Sequence, residues 1–105
     1  MAKQLLGLVD PDVAARRVPV TDAQRRMIEG RYSNGKIFEA AVDGDELVVS
    51  SNGNVLERLV HIGGMRFRNP AKPDVVEWFV PDGARAGWWI YNDGGSYVEA
   101  LRRAD

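Results

Sequence analysis

The sequence predicts an all-β protein: an eight-stranded antiparallel up-and-down barrel or curled sheet, preceded by a short N-terminal helical segment. Three observations lead there. From Gly30 onward, short runs rich in β-branched and aromatic residues recur at close intervals. Each pair of runs is separated by residues that supply the positive or fixed φ of a tight reversal. The connections are too short for parallel crossovers, which need a dozen residues or more, so consecutive strands must be antiparallel neighbours.

The segment before Gly30 reads differently, and the chain divides into residues 1–29, a linker and short helix, and residues 30–105, the β-barrel domain. Ala2–Val9 is a short apolar stretch that Pro11 interrupts. Val18–Gly30 reads as a linker followed by a helix, with Thr21 or Asp22 as N-cap and Gly30 beyond the C-terminal end. Ala23, Met27 and Ile28 can share one apolar face of that helix. It is too short to be stable alone, so it must dock on something.

The strands expected next are Gly30–Ser33, Lys36–Asp43, Glu46–Ser51, Val55–Ile62, Met65–Asn69, Val75–Val80, Gly87–Asn92 and Tyr97–Arg103. The reversals fall at Asn34-Gly35, Gly44-Asp45, Asn52-Gly53-Asn54, Gly63-Gly64, Pro70–Pro73, Asp82-Gly83 and Asp93–Gly95. On the second strand Phe38, Ala40 and Val42 share one face, while Ile37, Glu39 and Ala41 share the other.

Composition bounds the function. The chain has 105 residues, 14 Lys and Arg against 15 Asp and Glu, and no cysteine. That is one modest core, with no disulfide or thiolate metal site. The basic residues form no block, so nothing suggests a nucleic-acid partner. No apolar run approaches the roughly 20 residues a membrane-crossing helix needs, and the start lacks the apolar region of a signal peptide. No membrane partner, metal or cofactor is expected.

One tetrapeptide raises an enzymatic reading. Ser33-Asn34-Gly35-Lys36 spells S-x-x-K, the nucleophile motif of penicillin-binding proteins and serine β-lactamases. Tyr32-Ser33-Asn34 and His61-Ile62-Gly63 resemble the second and third motifs of the same enzymes. In those enzymes S-x-x-K opens a helix, whereas Asn-Gly here is a strong hairpin signal. Ser33 and Lys36 should then flank a two-residue turn on the solvent side, where nothing desolvates the lysine into a base. Moreover, Tyr32-Ser33-Asn34 shares two residues with the nucleophile motif, and one tripeptide cannot serve both. His61 is the sole histidine and reads as an ordinary strand-end residue. No catalytic residue is assigned.

A different part of the same proteins gives a resemblance along nearly the whole chain. Leu5-Leu6-Gly7-Leu8, the linker Val18–Asp22 and Gly30-Arg31-Tyr32 resemble the end of the catalytic domain, the linker and the opening motif of the C-terminal lipocalin-like β-barrel domain of β-lactamase-like serine hydrolases. Ile28 stands where that pattern commonly has an aromatic. Asp43–Leu47, Phe67, and Trp78-Phe79 with Asp82-Gly83 resemble later parts of it. The resemblance implies a non-catalytic accessory domain that packs on or gates a catalytic domain lying in a preceding segment. Met1 would then be an internal methionine or an artificial start. The parent, a D-Ala-D-Ala carboxypeptidase-like or β-lactamase-like hydrolase, would be periplasmic or secreted.

Two sets of side chains are candidate sites. In Gly87–Asp93, Trp88 pairs in facing with Ile90, and Trp89 with Tyr91, so the strand is apolar on both sides. One side faces the core. The other must be covered by the N-terminal helix, by the parent's catalytic domain or by a second copy in a homo-oligomer, or must remain an exposed aromatic patch, which makes Trp88, Trp89 and Tyr91 interface candidates. Phe38, Phe67 and Trp78 are candidates for contacting an apolar ligand in the barrel, the alternative function. With roughly six or seven residues per strand, such a barrel is about the size that its own side chains fill, and Phe67, Trp78 and Leu101 are available to fill it. A free-standing enzyme would instead require a cleft on which groups such as His61, Tyr32 and Glu77 converge.

Overall fold

The computed structural model describes residues 17–95 and 97–105. The apolar stretch Ala2–Val9 and Pro11 lie outside the described residues. Helix α1 (Asp22–Ile28) leads into strands β1 (Gly30–Ser33), β2 (Ile37–Asp43), β3 (Glu46–Ser51), β4 (Asn54–Gly63), β5 (Arg66–Asn69), β6 (Lys72–Asp82), β7 (Arg85–Asn92) and β8 (Val98–Arg103). Each strand pairs antiparallel with the next, and β8 returns to β1 through Tyr32↔Arg103 and Ser33↔Arg102. The sheet is a closed barrel in sequence order. Closure leaves no free sheet edge.

The up-and-down order sends alternate hairpin loops to opposite ends. One end carries the β1–β2, β3–β4, β5–β6 and β7–β8 connections. The other carries the remaining three connections and α1.

The helix begins with a reciprocal capping box. Thr21 Oγ1 accepts from Gln24 N, and Gln24 Oε1 accepts from Thr21 N, both at 3.0 Å. The face it buries differs from the expected one. Ile28 is fully buried and Met27 and Val20 pack against the core, but Ala23 is exposed. With only seven residues, α1 inserts its last turn into the barrel end and leaves its first turn outside.

Inside, Tyr32, Leu47, Leu59, Phe67, Phe79, Trp89 and Leu101 form a continuous core with Ile28 as part of the plug. Phe79 stacks on Trp89 at 5.3 Å, and Tyr32 meets the edge of Trp89 at 5.4 Å, spacings at which aromatic pairs attract. Phe38, Ala40 and Val42 face this core as the period-2 pattern requires. Trp78 does not. It lies between the buried Glu77 and Phe79 in sequence and therefore on the outer wall, with the Arg66 guanidinium 5.1 Å over its ring.

Several strand boundaries also depart from expectation, two of them for a local reason. Ser33 pairs with Ile37 rather than Lys36, so the first reversal is a three-residue loop. Ser33 Oγ accepts from Gly35 N and Asn34 Oδ1 accepts from Lys36 N, local bonds that stabilise the wider turn. The next departure is at Pro70–Pro73, where only Pro70 and Ala71 turn. Lys72 already pairs with Asn69, and Pro73 is tolerated because it sits at the strand's beginning.

At Gly30 and at Gly94 a side chain is disfavoured on two counts: φ is positive, +149° and +99°, and an added Cβ would collide with the Arg103 guanidinium at Gly30 and with Asp74 at Gly94.

Candidate ligand site

The two barrel ends are chemically different. At the helix end the buried polar side chains Tyr32 and His61 are hydrogen-bonded. Tyr32 donates its hydroxyl proton to Ile28 O at 2.6 Å and accepts from Arg103 Nη2 at 2.7 Å. The same Nη2 donates to Met27 O at 2.7 Å, and Arg85 Nη2 donates to Glu29 O at 3.0 Å. These bonds satisfy carbonyls that a helix C-terminus leaves without partners, with positive charge at the negative end of its dipole. Burial, partly offset by Arg103, pushes the Tyr32 phenol up to about 12.

His61 seals the same end. Its Nδ1 lies 2.8 Å from Val18 O, and its Nε2 accepts from Met65 N at 3.1 Å. The second bond assigns the proton to Nδ1, which then donates to Val18. Val18 N in turn donates to His61 O at 3.0 Å. The histidine therefore fastens the linker to the barrel.

The opposite end is open. Between the β1–β2 loop and strands β2 to β4 and β6 to β8 lies a cup with a volume of about 230 Å³. Phe38, Val49, Leu56, Leu101, the Trp89 indole and the Tyr91 ring supply apolar wall, and Glu57, Glu77 and Glu99 supply three carboxyl groups. Tyr97 and Asn34 stand at its rim and both bond Glu99, the tyrosine hydroxyl at 2.7 Å. A second, larger groove of about 650 Å³ adjoins it and shares Leu56, Glu57 and Tyr91.

Glu77 is the unusual member. It is only 1% exposed. Trp89 Nε1 donates to its Oε1 at 2.8 Å, while Oε2 is buried with no hydrogen-bond donor directed at it. Leaving a buried polar atom without a partner ordinarily costs about 1–3 kcal/mol. Burial, then the neighbouring charge of Glu57, raise the Glu77 carboxyl to about 8 against the opposing bond from Trp89, and sharing of the Glu77 proton with the Glu57 carboxylate adds to the rise. Glu57 itself accepts from Asn69 Nδ2 at 3.2 Å. Among the described residues, no group of His, Asp and Glu has the arrangement of a metal site.

The residues singled out in the sequence distribute as follows. Phe38 lines the cup, Phe67 lies beneath it in the closed core, and Trp78 is on the outer wall. Trp89 and Tyr91 line the cup, whereas Trp88 faces outward at 40% exposure beside Val80. The described helix does not cover Trp88, whose ring has Arg102 5.7 Å above it. Ser33 and Lys36 sit in the β1–β2 connection, with the Lys36 ammonium 5.5 Å over the Phe38 ring. His61, Tyr32 and Glu77 bond to three separate sets of partners.

Glu57 and Glu99 escaped the sequence reading. Glu77 was noticed only as a polar group, although Val75-Val76-Glu77-Trp78-Phe79 places it in phase with Val75 and Phe79, on the inward face. A carboxylate at an inward strand position was the available signal. The pairing of Glu57 with Glu77 had none, because they lie twenty positions apart in sequence with strand β5 between their strands.

Comparison of the chain with protein-family models, with curated proteins and with solved structures finds no match.

Proposed function

We propose that this chain is a non-catalytic β-barrel module that holds a small ligand in its open mouth. The observation that supports the reading is Glu77. A carboxyl group with one oxygen lacking a donor, at the inner wall of an aromatic-lined cup, is the combination of apolar contact and few polar groups by which small-molecule sites work. The cup is smaller than most such sites, so the ligand is compact. Titration with benzylamine and with benzyl alcohol, followed by Trp89 fluorescence in a Trp78→Phe, Trp88→Phe background and by the melting temperature of the wild type, tests this. Saturable quenching with a concentration-dependent rise in melting temperature is expected. No response to either compound refutes it.

A second reading rests on Trp88. Trp88 and Val80, 40% and 38% exposed, adjoin Trp78 and Ile90 on the outer wall of β6 and β7, and aromatic groups of this kind anchor protein interfaces. It supports an accessory role, in which the barrel docks on the catalytic domain of a β-lactamase-like serine hydrolase and positions or restricts it. The chain should then be expressed together with the coding sequence upstream of it, and turnover compared with and without Trp88→Ser. Altered turnover or domain separation is the expected result, and a protein indifferent to the substitution overturns the docking.

A further inference from the structure

The proposed cup is not neutral in its chemistry. Its wall carries three carboxyl groups, Glu57, Glu77 and Glu99, and no cationic side chain. Glu99 is occupied by Tyr97 and Asn34, and Glu57 keeps one oxygen for Asn69. What remains is acceptor capacity at Glu77 Oε2 and on Glu57. The rings of Phe38, Trp89 and Tyr91 surround it, and aromatic faces attract cations. The chain already displays this preference at the rim, where the Lys36 ammonium lies 5.5 Å over Phe38.

We propose that the open mouth binds a small organic ammonium, an aromatic or branched-alkyl amine, with its N–H donors directed at Glu77 Oε2 and Glu57. This rests on the reading of the cup as a ligand site and specifies the ligand's charge. A primary ammonium has three donors and no acceptor, which suits two carboxyl groups that each have one oxygen engaged, by Trp89 and by Asn69, and the second oxygen left over. Its apolar body occupies the space between Trp89, Tyr91 and Leu101. A neutral alcohol offers one donor and brings no charge to the carboxylates.

The proton balance gives the proposal a second signature. Burial and Glu57 keep Glu77 protonated up to about pH 8. An arriving ammonium favours the ionised carboxylate, so binding below that pH releases the Glu77 proton to solvent. Glu57 of β4, Tyr91 of β7 and Glu99 of β8 face the same space, with Tyr97 at the rim. The nearest element on the other side, β5, presents Phe67, which does not titrate. The cations of the surroundings are Lys36 at the rim and Arg58 and Lys72 along the adjoining groove. Affinity for an amine should therefore rise up to about tenfold per pH unit as pH approaches 8, then level.

Isothermal titration with benzylamine, benzyl alcohol and toluene, at pH 6, 7 and 8, decides the matter. Two buffers of different ionisation enthalpy report the released proton. Benzylamine is expected to bind at least tenfold more tightly than benzyl alcohol at pH 8, with proton release at pH 6. Glu77→Gln, nearly isosteric and neutral, should abolish both the preference and the proton release while the circular dichroism spectrum is retained. Glu57→Gln should weaken amine binding several-fold, and it keeps the test open should Glu77→Gln fail to fold. If benzyl alcohol or toluene binds as well as benzylamine, the ammonium assignment is wrong and the cup survives as an apolar site. If the folded protein binds none of the three, the cup itself is not a ligand site.

Discussion

Arg103 on the last strand donates to the Tyr32 hydroxyl on the first at 2.7 Å, and its guanidinium lies 4.8 Å over the same ring. The pair joins the two strands that close the barrel and, through Met27 O and Ile28 O, ties both to the C-terminal end of the plug helix. One side chain thereby couples closure of the sheet to docking of the helix. That coupling has a measurable size.

Tyr32→Phe removes a hydroxyl with two buried partners and should cost about 1–3 kcal/mol of unfolding free energy. Arg103→Lys should not restore the wild type, because an ammonium cannot span the carbonyls and the phenol that the planar fork reaches. Urea titration of the two variants measures both. A loss below the error of the titration in each would show that the bridge carries no stability.

Gly30 should be intolerant for the same reason. Gly30→Ala places a methyl group where Arg103 Nη1 passes and asks an L-residue to hold φ near +149°. The expected loss is roughly 1–3 kcal/mol from the backbone alone. Thermal melts of Gly30→Ala beside Gly35→Ala separate the two components, since Gly35 has positive φ but open space around its Cβ position.

The adjacent tryptophans should separate cleanly. Trp89 is buried and bonded to Glu77, and Trp89→Ala should cost about 3–5 kcal/mol. Trp88→Ala, on the outer wall, should cost about 1 kcal/mol or less in the isolated barrel. Denaturation midpoints compare them directly. Equal losses would place both side chains in the core.

Stability should fall with rising pH through one identifiable group. The folded pKa of Glu77, about 8, lies above its ordinary value of 4.5. The native state therefore binds more protons than the unfolded chain between those values. Stability contributed by the protonated form is complete below about pH 4.5 and is lost progressively up to about pH 8, by a few kcal/mol at most. Glu77→Gln should flatten that slope. If wild type and variant show parallel pH profiles across this window, the carboxyl is not held protonated.

His61 offers a further check. His61→Ala removes the bonds to Val18 O and Met65 N and should destabilise by roughly 1–3 kcal/mol. Amide exchange at Val18 and Met65 should accelerate beyond the global change. Exchange that rises uniformly across the barrel would deny His61 a local fastening role.

Much of this architecture is legible residue by residue. The alternation Phe38, Ala40, Val42 marks the inward face of β2, Thr21-Asp22 marks the start of α1, and reversals containing Gly, Asn or, between β5 and β6, Pro mark the hairpins. Short loops then leave only the antiparallel neighbour order. These features rest on local chemistry, which a linear reading captures. Where local signals compete, it captures less. Asn34-Gly35 invites a two-residue turn, yet Ser33 and Asn34 side-chain bonds widen it to three.

Sequence alone determined the all-β class, the eight consecutive strands, and the fact that β7 is apolar on both faces, because strand periodicity and turn conformation are properties of neighbouring residues. Tertiary structure decided that Trp89 faces in and Trp88 out, that Trp78 stands outside, and that one end is plugged while the other stays open. It also brought Glu57, Glu77 and Glu99 together from three strands. Which strand face becomes the interior depends on the curvature and register of the closed sheet as a whole. A carboxyl group's environment is set by what closure places across from it.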